Sequence, residues 1–194
     1  MQAITKLESV NSILSAASES PVSNLDVNAG LQVSMAISIL DEVSRETQSY
    51  GWYWNRREVT YIPDSLGHIN IPSNIIEIDS KVSTNYSIRS GRLFLLTDGT
   101  DTFTSSVTLQ VKELLEWDDL PQVARQFITL SAARRYCDRT IGTPELARFT
   151  RTDELAAWMN LKRYEQSVGD YNMLNAETLR YLNRKSPINY IRTW

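Results

Sequence analysis

Apolar positions change their spacing twice along this 194-residue chain. Ile4, Leu7, Val10, Leu14 and Ala17 recur at helical intervals, which predicts a helix over residues 3–17. Pro21 ends it within a turn-like Ser18–Asn24 stretch. A second helix is predicted over 29–49, with Asn28 as a cap and Val33, Ala36, Ile37, Leu40 and Val43 as its stripe. Gly51 supplies the C-terminal stop.

From Trp52 to about Leu115 the period shortens to two, and β-branched and aromatic residues rise. Strands are predicted at Val59–Ile62, His68–Ile71, Ile75–Val82 and Val107–Leu115, with a hairpin of Tyr86–Arg89 and Arg92–Leu96 about a Ser90-Gly91 turn. The expected arrangement is an antiparallel meander. Helix returns at Asp119-Leu120-Pro121, read as an acidic cap followed by an early proline. It runs to about Thr140 with Val123, Phe127, Leu130 and Ala133 or Arg134 on one side, and Gly142 breaks it. Thr143-Pro144-Glu145 starts a last helix reaching about residue 174, with Gly169 as a weak point. The fold class is therefore α+β: an antiparallel helical bundle of two N-terminal and two C-terminal helices carrying an inserted antiparallel β-sheet. The expected parts are 1–51 with 119–180 as the bundle, 52–118 as the β-rich insertion, and 181–194 as an extended C-terminal docking arm.

Composition narrows the chemistry. A chain of this length buries about 70% of its unfolded surface and can build its own core. No apolar run approaches the roughly 20 residues of a membrane span, and the N-terminus lacks a basic-then-apolar signal, so the product is expected to stay in the cytoplasm where it is made. One cysteine, Cys137, allows no internal disulfide, and one histidine, His68, rules out zinc sites built from several histidines or cysteines. No cofactor or metal is expected. The net charge of −3 gives no bulk reason to bind nucleic acid. Charge is uneven, however. Residues 1–51 hold two basic and six acidic side chains, whereas 175–194 hold Arg180, Arg184, Lys185 and Arg192 against Glu177 alone. An acidic head and a basic tail suit contacts between copies or with an acidic partner, or are ordinary solvated faces.

Candidate catalytic groups are sparse. His68 is the only histidine a Ser-His-Asp triad could use, and no G-x-S-x-G elbow accompanies it; after Gly67 it reads as a surface turn residue. Cys137 sits among Arg134, Arg135 and Arg139, which would favour thiolate, but a small helix side chain is the plainer reading. Asp118-Asp119 and Asp153-Glu154 are paired carboxylates; a glycosidase needs two roughly 5–10 Å apart across a cleft, but capping and dipole stabilisation explain the first pair sufficiently. Trp52 and Trp54, two apart, are placed on one face of a strand beside Tyr50 and Tyr53. They suit a core, a stacking surface or a subunit contact. Arg134, Arg135 and Arg139, with Arg148 and Arg151 beyond, suit pairing with a neighbour's acidic helices or DNA contact. Trp52 and Trp54 with the three helix arginines are thus the candidate inter-subunit residues. Tyr181, Arg184, Lys185, Tyr190, Arg192 and Trp194, together with Leu182 and Ile191, form an aromatic, basic end that suits a docking arm contacting another protein or a neighbouring copy, or packing on the chain's own bundle.

Several segments together carry a resemblance. Leu7, Val10-Asn11, Ile13-Leu14 and Pro21-Val22-Ser23 with Leu25 precede a helix ending Gln48-Ser49-Tyr50-Gly51-Trp52, with Asn55 after it. Leu120-Pro121, Ala132-Ala133-Arg134-Arg135, Gly142-Thr143-Pro144-Glu145, Tyr164-Glu165 and Tyr171-Asn172-Met173-Leu174 follow. In this order they resemble the tail tubular protein A family, head-to-tail adaptors of podoviruses, over roughly residues 5–55 and 120–175. The resemblance implies a structural virion protein of the phage tail that is not an enzyme. It implies a homo-oligomeric ring, a dodecamer, beneath the portal protein. A nozzle protein (tail tubular protein B) sits below, tail fibres dock around it, and DNA passes through the lumen without sequence-specific binding. Residues 175–194 depart from the family pattern. The rival expectations are a tail-associated cell-wall hydrolase and a DNA-binding module.

Overall fold

The computed structural model describes residues 3–26, 30–79, 85–140, 142 and 144–168. Among these residues it is α+β, with four α-helices and antiparallel strands. Helix α1 (Lys6–Ala16) starts two residues later than Ile4 because Thr5 caps it. The Glu8 backbone N–H donates to the Thr5 hydroxyl at 3.2 Å, and the Glu8 carboxylate accepts from the Thr5 backbone N–H at 2.8 Å. This reciprocal box satisfies two of the donors that a helix start leaves orphaned. Helix α2 (Leu31–Ser49) has Gly30 at its cap position, and the expected cap Asn28 lies outside the described residues. Its buried stripe is Val33, Ala36, Ile39, Leu40 and Val43; Ile39 takes the place expected for Ile37, which is half-buried.

Helix α3 (Gln122–Thr140) differs most from its predicted face. Its buried residues include Ala124, Ile128, Thr129, Ser131, Ala132, Ala133 and Tyr136, not one stripe of large apolar groups. The reason is position: α3 packs against α1, α2 and α4 (Pro144–Val168). A helix covered on three sides needs small residues for close approach, and a single-stripe reading misses it. Asp119 is not its cap. It closes a turn of 3-10 helix, Trp117–Asp119, and Pro121 supplies the first accepting carbonyl, at 2.9 Å from the Ala124 N–H. The expected end of α4 near residue 174, and Thr143 before it, lie outside the described residues.

The strands are β1 (Arg56–Tyr61), β2 (Ile75–Asp79), β3 (Tyr86–Arg89), β4 (Arg92–Leu95) and β5 (Val107–Glu113). They do not form a meander. The first and last strands pair, giving the order β1-β5-β2, while β3 and β4 form a separate hairpin. That hairpin turns through Ser90 and Gly91, both at positive φ, as a two-residue turn of this twist requires. The expected return strand His68–Ile71 reduces to isolated bridges, His68 with Thr102 and Asn70 with Arg92, ended by Pro72, which has no N–H to donate. On β1 and β5 the alternation holds: Val59, Tyr61, Leu109 and Val111 face a core with Ile69, Ile71, Ile75 and Leu93. The opposite face is polar, with Lys112 bridging Glu77 at 2.6 Å and the Thr60 and Thr108 hydroxyls 2.9 Å apart.

Pairing β1 with β5 brings the exit of α2 beside the entry to α3, and buried amides lock the junction. Gln48 is fully buried; its Nε2 donates to the Leu115 carbonyl at 3.1 Å and its Oε1 accepts from the Leu115 N–H at 2.7 Å. Asn55 Nδ2 donates to the carbonyls of Gln48 and Glu113, at 2.8 and 3.0 Å, while its Oδ1 accepts from the Trp52 N–H at 2.8 Å. Gly51 makes the turn at φ +71°, and a Cβ there would lie 2.5 Å from Lys112 Cε. Replacing Asn55 with Ala takes the partner from the buried Trp52 N–H and from the Glu113 carbonyl, while the Gln48 carbonyl keeps the Gly51 N–H at 3.1 Å. We expect Asn55→Ala to destabilise the chain by about 2–4 kcal/mol in urea unfolding, and a loss under about 0.5 kcal/mol would contradict this account of the junction.

Candidate assembly surfaces

The helix arginines are engaged inside the chain. Arg135 pairs with Glu42 at 3.1 Å and also with Glu46, and Arg139 reaches Glu42 at 3.0 Å, so α3 is tied to α2. Arg134 bridges Glu154 at 2.5 Å and Asp138 at 2.8 Å, and Ser131 also donates to Glu154, at 2.6 Å, which ties α3 to α4. The Arg139 hydrogen bond, then the nearby Arg139 and Arg135 charges, hold Glu42 below the usual carboxylate range. The acidic partner expected in a neighbouring copy is therefore supplied by the chain's own helices, because α2 carries its carboxylates on the side that packs on α3. Arg148 has no described side chain.

The tryptophans were expected on a strand and lie instead at a turn of 3-10 helix, Tyr53–Asn55. Their rings stack, 6.3 Å apart and 6° from parallel. Trp52 is 2% exposed and donates from Nε1 to the Thr47 carbonyl at 2.7 Å, so it belongs to the core with Ala124 and Leu161 and does not face a neighbour. Trp54 is half-buried, and its Nε1 finds no partner among the described residues. Sequence reading missed Trp158, which joins this cluster from α4, 5.6 Å from Trp52 and 5.0 Å from Phe127. Lys162 lies 5.1 Å over the Trp52 ring and 4.9 Å over Trp158. Beside them a cavity of about 190 Å³ opens between α2, α3 and α4, lined by Tyr50, Phe127, Trp158, Glu46, Arg135 and Glu154 among others.

The candidate reactive groups do not converge. Cys137 is buried, and burial followed by the Asp138 charge pushes its thiol up, opposite to the thiolate that neighbouring arginines suggested. His68 is not a surface turn residue: its side chain is 17% exposed, Nε2 lies 3.6 Å from Asp101, and Nδ1 is buried without a partner among the described residues. Asp118 is exposed, with its carboxylate 3.8 Å from Arg125. The buried Arg125 guanidinium clasps the carbonyls of Leu120, Ile4 and Asp118. Glu154 is held by Ser131 and Arg134. Tyr181, Arg184, Lys185, Tyr190, Arg192 and Trp194 lie outside the described residues.

Several large apolar side chains are exposed among the described residues. Leu155 and Met159 on α4 are 59% and 57% exposed, Tyr50 is 59% exposed, and Ile62 and Leu66 at the β1 turn are 79% and 72% exposed. Comparison with known proteins supplies the class. The family model for tail tubular protein matches residues 7–171. Tail tubular protein A of Klebsiella phage KP34 is 29% identical over 164 residues, covering 82% of this chain and 86% of the relative. The chain belongs to the tail tubular protein family, and so is a structural component of the phage tail.

Two tyrosines give a test of these helix contacts. Tyr136 donates to Glu19 at 2.8 Å, and burial followed by this bond pushes it up to about 12 from 10.0. Tyr53, beside Tyr164 and Glu165, is pushed up to about 12 by burial first. A raised tyrosine pKa means the folded state keeps the proton longer. The stabilisation is complete below pH 10 and is lost as pH rises through 12. Tyrosinate absorbance should show a late-titrating class, and Tyr136→Phe should remove one member of it; full titration of every tyrosine near pH 10 in the folded protein would contradict this packing.

Proposed function

We propose that the chain is a ring-forming head-to-tail adaptor that joins the portal to the tail nozzle and lets the genome pass. The observation that carries this reading is family membership over residues 7–171 in a chain whose described surface offers several exposed apolar sites. A tube made of 194-residue chains needs many copies, and closed rings need two different, complementary surfaces on each copy. In this reading the helices build the ring, with a dodecamer as the expected size. The 52–118 segment points outward or toward nozzle and fibres, and the 181–194 arm engages the portal or a neighbouring copy through Tyr181, Arg184, Lys185, Tyr190, Arg192 and Trp194. The net charge of −3 suits a lumen from which DNA must slide free, since it disfavours phosphate binding. The three helix arginines that suggested DNA contact hold carboxylates of their own chain, which speaks against the nucleic-acid alternative. Glu154, one of the carboxylates considered for hydrolysis, is held by Ser131 and Arg134.

Light scattering tests the proposal. The purified chain, mixed with its portal, should shift from a low mass to a single large complex containing many copies. A chain ending at residue 180 should keep its helical circular dichroism and lose that shift. A full-length chain that ignores the portal would overturn the adaptor reading, and unchanged binding by the truncated chain would overturn the arm.

A further inference from the structure

Charged side chains without an ion pair occur at several places among the described residues, Arg45, Arg89, Asp98 and Asp153 among them, and two groups lie on α4 and around α1. On α4, Arg151, Lys162 and Arg163 are exposed and form no ion pair among the described residues. They flank Leu155 and Met159 at intervals of three and four, so all five share one outward stripe. On the other side, Glu8 of α1 and Glu19 and Asp26 in the segment after it form no ion pair among the described residues either. Exposed Ser12 and Ser15 continue the Glu8 face of α1.

These two sides point apart. The α3 residue Thr129 donates to Ser9 of α1 at 2.9 Å, whereas Ser131 donates to Glu154 of α4 at 2.6 Å. Two residues along a helix are roughly 200° around it, so α1 and α4 flank α3 on opposite faces. One copy thus carries an apolar strip edged by three cations on one flank and three carboxylates on the other.

We propose that the α4 stripe centred on Leu155 and Met159 packs against the acidic α1 flank of a second copy of this chain, head to tail. The occupant follows from charge complementarity: an exposed stripe carrying Arg151, Lys162 and Arg163 faces outward on one flank, and Glu8, Glu19 and Asp26, which form no ion pair among the described residues, lie on and after α1. It follows also from repetition, because a contact between unlike surfaces continues from copy to copy and closes into a ring. This inference rests on the adaptor reading and names the lateral contact within it.

Mixed-copy cross-linking tests it in the portal-bound assembly of full-length chains. Ser12→Cys copies and Met159→Cys copies are combined and treated with a short bismaleimide; native Cys137 is 3% exposed and stays silent in unmodified protein. The expected result is a linked dimer from the mixture and none from either variant alone. The triple variant Arg151→Glu, Lys162→Glu, Arg163→Glu should lose higher-order assembly while keeping its circular dichroism. A linked dimer from Met159→Cys copies alone would show a like-with-like contact and overturn the proposal. A portal-bound ring without the mixed product would overturn this face while leaving the adaptor reading intact. No multi-copy complex at all would overturn both.

Discussion

Two buried side-chain amides hold the helical and β parts of this protein in one frame. Gln48 answers both backbone groups of Leu115, and Asn55 answers Gln48, Glu113 and Trp52. These backbone groups sit around the ends of α2 and β5, where the amides supply partners beyond the Gly51 N–H that the Gln48 carbonyl also accepts at 3.1 Å. Buried and unpaired, each would cost on the order of 1–3 kcal/mol. The junction forces β1 and β5 to pair, and that pairing delivers the chain to the start of α3 beside its exit from α2. The position of α3 among three helices follows, and with it the placement of α1 and α4 on its two sides.

That geometry explains why the protein's charges behave as they do. The arginines of α3 join its neighbours, to Glu42 and Glu46 on α2 and to Glu154 on α4. Arg125, almost fully buried, collects three carbonyls around the segment before α1 and the turn before α3. Interactions that a sequence reading assigns to a neighbour are consumed in making one rigid subunit. The surfaces left for assembly are those whose apolar and charged groups have no place in this frame. A tail component needs this division between internal ties and outward surfaces, because it must keep its shape while contacts form around it.

The order helix, helix, strands, helix, helix was legible because each segment carries a local signal: the stripe of α2, the alternation of β5, Ser90-Gly91 at a hairpin, Gly142 at a break. The β1–β5 pairing was not legible, since it joins residues about fifty positions apart and depends on the Gln48–Asn55 junction rather than on any local pattern. The α3 face was missed because its burial rests on small and polar residues that periodicity ignores. Trp52 and Trp54 were recognised as a cluster, but Trp158 enters from a helix a hundred residues later. Family membership was legible in the short elements Gln48–Trp52 and Leu120-Pro121, and these sit at the junction that fixes the frame. Thr5-x-x-Glu8 was a readable capping box; it was overlooked because Ile4 appeared to extend the apolar stripe.

Electron cryomicroscopy of the assembled tail tests the central claim, that this chain works by building a joint between head and tail. The account predicts a closed ring of copies between portal and nozzle, with an open lumen and the described helices fitting each copy's density as one rigid unit. A single copy, or density for this chain away from the head–tail junction, would contradict it.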